Sequence, residues 1–293
     1  MRMSILAPPL GQAAGAVQMC DEVDRMKVVL FCGGQGTRLR DYSDQIPKPL
    51  VPVGGMPILW HIMKYYASFG HKDFVLCLGY MGETIKRFFL EYDECMSNDF
   101  VFEDGGAKRQ LLRTDIHDWR ITFVDTGQST NIGGRLLKVR EHLAGEEMFL
   151  ANYADILTDM DLDAMVSAFR ASDSTAGFCC VQPPYSFHLV TTRENGKVAR
   201  MMNVKESGMW MNGGYIILRQ AIFDNLFEGE ELVIEGFDRL VKANRLYAHK
   251  HDGFWMPMDT FKEKQALDDM VAKGTTPWQT WKAPKPDARS AVA

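Results

Sequence analysis

The sequence predicts an α/β protein with a mainly parallel, twisted sheet covered by helices on both faces. Two observations carry that expectation. Short apolar, β-branched runs alternate with segments of helical periodicity from residue 27 to about residue 182, and a glycine-rich loop, GGQGTRL at 33–39, follows the first apolar run directly. Such alternation lays parallel strands beneath helices and gathers ligands at the carboxyl ends of the strands.

Taken in order, KVVLFC (27–32) is too short for a helix and reads as a buried strand. A helix is expected from Pro57 to Phe69, because Ile58, Ile62, Tyr66 and Phe69 recur at helical spacing and proline suits a first turn. The strand DFVLCLG (73–79) precedes a helix from Gly82 to about Tyr92. RITFVDT (120–126), a helix near Gly134 to His142, MFLANYAD (148–155), a helix near Leu162 to Ala171 and GFCCVQ (177–182) continue the pattern. Beyond residue 183 the texture turns to hairpin-like strands, KVARMMNV and WMNGGYIIL, before helices near 235–243 and 260–272. The expectation is a Rossmann-like sheet with a smaller β-rich C-terminal part, forming one domain over 27–282. Residues 1–26 are expected to be a flexible extension, with Met26 an alternative start, and residues 283–293 a disordered Pro-rich tail.

The chain has 293 residues, a hydrophobic content of 46% and a formal charge of −5. That is enough apolar material for a sizeable core, and the acidic balance argues against nucleic acid or an anionic membrane as partner. No stretch approaches the ~20 apolar residues of a membrane span, and Pro8 and Pro9 interrupt the N-terminal segment where a secretory signal would need an apolar run. The six cysteines contain no Cys-x-x-Cys pair and read as reduced core residues of a cytoplasmic protein.

Glycines 33, 34 and 36 let backbone N–H groups approach an anion closely, and Thr37 and Arg38 add polar and basic reach. Two familiar phosphate loops fail here. Gly36-Thr37-Arg38 lacks the Gly-Lys-Ser/Thr ending of a P-loop, and Leu39 stands where a dinucleotide loop needs its third glycine. Pro47-Lys48-Pro49 then presents a single lysine between two rigid residues. Asp155 closes the apolar run MFLANYAD and Asp259 follows HDGFWMP, with Lys205 between them in NVK. Each aspartate fits either a magnesium ligand at the sheet's active edge or a helix N-cap. Asp159, Asp161 and Asp163 imitate a calcium loop, but the glycine is missing and Arg170 occupies the twelfth position, so they read as helix-entry charge. His249 and His251 would share one strand face and read as surface or packing residues; the methionines read as core filler.

Five strings in order, GGQGTRL, PKPLVPVGGMPILWHIMK, DTGQSTNIGGRL, NGGYIIL and GFWMPMDT, resemble the sugar-phosphate nucleotidyltransferases, most closely glucose-1-phosphate cytidylyltransferases, over about Lys27 to Trp281. The resemblance implies an enzyme that condenses CTP with a phosphorylated acceptor to give a CDP-linked product and pyrophosphate. It implies that Gly33, Gly34, Gly36 and Thr37 wrap the nucleotide triphosphate, that Arg38 binds the leaving phosphates and that Lys48 neutralises charge near the α-phosphate. It also implies that Asp155 and Asp259 hold Mg2+, that Lys205 grips the sugar phosphate and that Asn212 and Gly213 lie against the acceptor. The relatives' homo-oligomers, often hexamers, are expected here too. Three departures stand out: Ala154 replaces a glycine, Val204-Lys205-Glu206 replaces Glu-Lys-Pro, and Phe187-His188-Leu189 replaces Gly-Ala-Leu. Phe187 and His188 would narrow the acceptor site, so another sugar phosphate or a small non-sugar phosphate is an alternative to glucose 1-phosphate. A nucleotide-binding relative without turnover and a nicotinamide-dependent dehydrogenase are more distant readings, disfavoured respectively by the retained aspartates and lysines and by Leu39.

Overall fold

The structure is a computed structural model that describes residues 25–34, 36, 46–184 and 187–282. Its strands are β1 (Lys27–Phe31), β2 (Pro52–Val53), β3 (Met56–Pro57), β4 (Asp73–Leu78), β5 (Phe100–Glu103), β6 (Lys108–Leu111), β7 (Arg120–Asp125) and β8 (Met148–Asn152). They continue with β9 (Ile156–Thr158), β10 (Ala176–Val181), β11 (His188–Thr192), β12 (Val198–Asn203), β13 (Met211–Arg219), β14 (Leu246–His251) and β15 (Trp255–Pro257). The α-helices are α1 (Ile58–Ser68), α2 (Gly82–Leu90), α3 (Ile132–Lys138), α4 (Leu162–Ala171), α5 (Phe237–Lys242) and α6 (Phe261–Ala272).

Seven strands form the main sheet in the order β14-β10-β13-β8-β1-β4-β7. Strands β8, β1, β4 and β7 run parallel, as do β10 and β14. Strand β13, expected among the hairpin-like strands, instead lies within the main sheet, antiparallel to both β8 and β10. Residues of β1 alternate between two cores, Val28 and Leu30 in one and Val29 and Phe31 in the other. Burial on both faces is why these strands read as unbroken apolar runs. The β11–β12 hairpin supplies the β-rich part anticipated after residue 183.

Helix α1 begins one residue after Pro57, which is its N-cap and not part of its first turn, and it buries Ile58, Leu59, Ile62 and Met63. The helix expected from Gly134 starts earlier, at Ile132, because the Asn131 carboxamide accepts from the Gly134 N–H (2.8 Å) and caps it; a 3-10 turn over Arg140–Leu143 follows. Asp161 caps α4 by accepting from Ala164 N–H (3.0 Å), which is the helix-entry role read for that acidic run. Cys32, Cys77, Cys179 and Cys180 are buried free thiols. Met26, the last residue of the expected extension, is buried and its N–H donates to His71 Nδ1 (3.1 Å), so it is part of the packed domain. The rest of the extension and the 283–293 tail lie outside the described residues.

Trp278, fully buried, donates its indole N–H to His61 Nδ1 (3.4 Å), while His61 Nε2–H donates to the Val53 carbonyl (2.9 Å). Burial pushes the His61 pKa down to about 4. The unfolded histidine binds a proton below about 6.5, whereas the folded one does not until about 4, so protons favour the unfolded chain. Stability is expected to fall by up to about 3 kcal/mol between pH 6.5 and 4 from this residue. Unfolding midpoints of His61→Gln, which keeps a donor for Val53, should vary less over that window than those of the wild type. Parallel pH profiles would refute the assignment.

Candidate active site

The glycine loop leaves the carboxyl end of β1, between the ends of β8 and β4. Its first glycine is dictated by a neighbour. A Cβ on Gly33 would lie 1.8 Å from Nη1 of Arg135, a residue of α3 that is only 3% exposed. That guanidinium donates from Nη1 to the Leu78 carbonyl (3.1 Å) and Thr126 Oγ1 (2.7 Å), and from Nη2 to the carbonyls of Gly33 (3.0 Å) and Gln128 (3.3 Å). One cation therefore ties together the ends of β1, β4 and β7. Gly36 adopts a left-handed φ of 60°, which suits glycine at the turn of the loop. Thr37 and Arg38 lie outside the described residues.

Asp155 does not end strand β8 as anticipated; it sits three residues beyond it, in the tight turn before β9. Asn152 shapes that turn by accepting the Ala154 N–H (2.7 Å), and Ala154 takes a positive φ of 61°, a conformation that favours glycine. Strand β15 pairs with β9, setting Pro257 opposite Ile156, and Met258 N–H donates to the Asp155 carbonyl (2.9 Å). This pairing delivers Asp259 beside Asp155. Neither aspartate is a helix N-cap: a strand follows Asp155, and α6 is capped by Thr260 with a reciprocal Glu263.

Between the carboxylates lies Lys48, on a 3-10 turn (Lys48–Leu50) entered through Pro47. Its Nζ is 2.6 Å from Asp155 Oδ2 and 2.6 Å from Asp259 Oδ1. Burial would pull the Lys48 pKa down, but the charges and hydrogen bonds of the two aspartates together raise it, so the ammonium is retained. The carboxylates thus already share one cation. Among the described residues no group of three or more His, Cys, Asp or Glu side chains could hold a metal. Two hard oxygen donors, with no third protein ligand among the described residues, fit what Mg2+ takes: one or two carboxylates, with water and substrate phosphates completing its shell.

A cavity of about 640 Å³ opens from this cluster. Gly34, Asp155, Asp259 and Arg135 line it together with Tyr153, Asn212, Glu231 and Trp255. A smaller recess of about 210 Å³, lined by Gly34, Gly36, Lys48 and both aspartates, adjoins it. Gly213 is buried beside Asn212, its carbonyl accepting the Trp255 indole N–H (2.8 Å). Phe187, His188 and Lys205 meet elsewhere, at the root of the β11–β12 hairpin: His188 pairs with Asn203, and Val204 N–H donates to the Phe187 carbonyl (2.8 Å). Phe187 is 67% exposed, Lys205 is exposed, and none of the three is among the described residues lining the cavity. Arg135, Tyr153, Glu231 and Trp255 were not anticipated. The signal for Arg135 was an arginine directly after Gly133-Gly134 in a helix with an otherwise apolar face. His251 is held by Asp159 (3.0 Å), a partnership that raises its pKa and fits the packing role expected of it.

A glycine loop at parallel strand ends, facing two carboxylates that clasp a lysine, defines an α/β enzyme built to handle phosphorylated ligands. The family model described as nucleotidyl transferase matches residues 27–262, and the chain belongs to that family; it is a nucleotidyltransferase. The chain is 37% identical over 262 residues to the glucose-1-phosphate cytidylyltransferase of Salmonella typhimurium, covering 87% of this chain and 100% of that one. It is 36% identical, with the same coverage, to the enzyme of that name from Salmonella typhi. Among solved structures, UDP-glucose pyrophosphorylase complexed with UDP-glucose superposes with a TM-score of 0.63 at 17% identity, covering 85% of this chain and 99% of that one, a likeness of fold. No helix among the described residues is long and apolar enough to cross a membrane.

Proposed function

We propose that the protein transfers a cytidylyl group from CTP to a sugar 1-phosphate, with glucose 1-phosphate as default acceptor, giving a CDP-sugar and pyrophosphate. The observation that carries this reading is the clasp of Lys48 by Asp155 and Asp259 at the mouth of the glycine loop. The names of the most similar cytidylyltransferases support the choice of base and acceptor.

In the reaction, an acceptor phosphate oxygen attacks the α-phosphorus of CTP. The bond from that phosphorus to the oxygen bridging to the β-phosphorus breaks, and pyrophosphate leaves with the electron pair. A phosphate monoester has its second pKa near ~6, so the nucleophile is ionised at neutral pH and needs no general base. The protein's task is to bring two anions together in line. Backbone N–H groups of Gly33, Gly34 and Gly36, with Thr37 and Arg38, hold the triphosphate, and Lys48 faces the α-phosphate. Asp155 and Asp259 would hold Mg2+, which when bound supplies charge neutralisation at the phosphates. Asn212 and Gly213 border the acceptor. Lys205 takes the acceptor phosphate, a role that requires its exposed turn, with Phe187 and His188 beside it, to approach the cavity.

The catalytic unit spans residues 27–282 and works in the cytoplasm as a homo-oligomer, a hexamer being one form open to it, with neither nucleic acid nor membrane as partner. A screen of pyrophosphate release over the four ribonucleoside triphosphates and a panel of phosphorylated acceptors, with product masses, tests the assignment. Release with CTP and glucose 1-phosphate is expected; release only with another pair would replace those substrates. Deleting residues 1–24, which precede every motif above, is expected to leave kcat/KM within a few-fold. A large loss in a truncated protein of unchanged sedimentation would assign the extension a part in the chemistry.

A further inference from the structure

Glu231 is the third carboxylate on the described cavity wall, besides Asp155 and Asp259, and the clasp of Lys48 does not involve it. Its backbone is firmly placed. The Glu231 N–H donates to the Glu235 carboxylate (2.8 Å), and its carbonyl accepts from Glu235 N–H and Gly236 N–H (3.2 Å each) at the start of a π-turn, Leu232–Gly236, whose Leu232 is fully buried. Its acidic neighbour Glu230 is paired with Arg239 (2.6 Å), while Glu231 turns a half-buried carboxylate to the cavity with no hydrogen-bond or ion-pair partner among the described residues.

Beside it stands Tyr153, whose hydroxyl accepts from Asn212 Nδ2 (3.4 Å). Because its oxygen is the acceptor in that bond, the phenol keeps its own O–H to donate. The Asn212 carbonyl oxygen is taken by Gly214 N–H (2.9 Å), which aims the amide nitrogen at Tyr153. The wall therefore sets a donor, Tyr153, near an anionic acceptor, Glu231, that is outside the Lys48 clasp. A carboxylate repels phosphate, so the ligand group it meets must itself donate hydrogen bonds.

Resting on the transfer reaction above, we infer that Glu231 is a specificity-determining residue that accepts a hydrogen bond from a sugar-ring hydroxyl of a bound substrate, with Tyr153 donating beside it. That hydroxyl belongs either to the acceptor sugar or to the ribose of the nucleotide, and the two sources are separable. The test measures kcat/KM for wild type, Glu231→Gln and Glu231→Ala with glucose 1-phosphate and its singly deoxygenated analogues, and with CTP and 2′-deoxy-CTP. Affinities of the two nucleotides are measured by calorimetry in parallel. Glu231→Ala should lose on the order of 10- to 100-fold with the intact substrate, the worth of a hydrogen bond to a charged group. The loss should shrink to within about twofold for the one analogue that lacks the hydroxyl being read, because removing both partners together leaves nothing unpaired. Glu231→Gln, which retains a carbonyl acceptor, should recover part of the activity. Equal losses across all analogues, or none, overturn the inference while leaving the transfer reaction standing. If the wild type transfers nothing to any sugar phosphate, the reaction fails instead. The calorimetric arm then decides for Glu231: a loss for CTP that is absent for 2′-deoxy-CTP supports it, and equal effects on both overturn it.

Discussion

Asp155→Asn and Asp259→Asn are each expected to lower nucleotidyl transfer by about 10²- to 10³-fold or more, the scale on which a single charge-stabilising group contributes to a transition state. Stability should not follow. The trio Lys48, Asp155 and Asp259 carries one positive and two negative charges, so neutralising either carboxylate leaves Lys48 still paired at 2.6 Å with the other and removes a repulsion. Unfolding midpoints of the variants should match or slightly exceed that of the wild type, while Mg2+ titrated against a spectroscopic or calorimetric signal binds more weakly. Near-normal turnover in either folded variant would remove these residues from the chemistry. A large fall in unfolding midpoint would show instead that they are struts of the β9–β15 turn.

Arg135→Met is expected to show the opposite balance, a loss of stability along with activity. The four acceptors now served by the guanidinium, the carbonyls of Leu78, Gly33 and Gln128 and the Thr126 hydroxyl, cluster around a buried site. Leaving a buried acceptor unserved costs about 1–3 kcal/mol, and Thr126 still donates to Leu78 (2.7 Å), so a net loss of about 3 kcal/mol is expected. For a domain of this size that is roughly a 6–12 °C fall in unfolding midpoint. The glycine loop, released at Gly33, should bind nucleotide less tightly. Gly33→Ala attacks the same contact from the other side, since its methyl would overlap the guanidinium, and should reproduce both effects. An Arg135→Met protein that melts within 2 °C of wild type would show that the strand ends do not depend on this cation.

Most of the sheet was legible because its information is local. In β4, five successive residues after Asp73 are buried, and a strand covered on both faces announces itself as a continuous apolar run. Helix α4 could be bounded at Leu162 and Ala171 because Asp161 supplies its own cap one residue earlier. The place of β13 was not legible. Its composition is that of any buried strand, and whether such a strand pairs in a hairpin or inserts antiparallel between β10 and β8 depends on partners that lie 30 or more residues away.

The same division runs through the site. The sequence by itself determined the residue types: glycines after the first strand, a lysine between prolines, and two aspartates following apolar runs. Only the tertiary structure decided that they meet, because Lys48 is 107 positions from Asp155 and 211 from Asp259, and the pairing of β9 with β15 closes that distance. It also set Phe187, His188 and Lys205 at the hairpin root, outside the described lining of the cavity. Arg135, hinted at only by its place after Gly133-Gly134, and Glu231 took their positions in three dimensions, because burial beneath a loop and exposure to a cavity depend on segments distant in sequence.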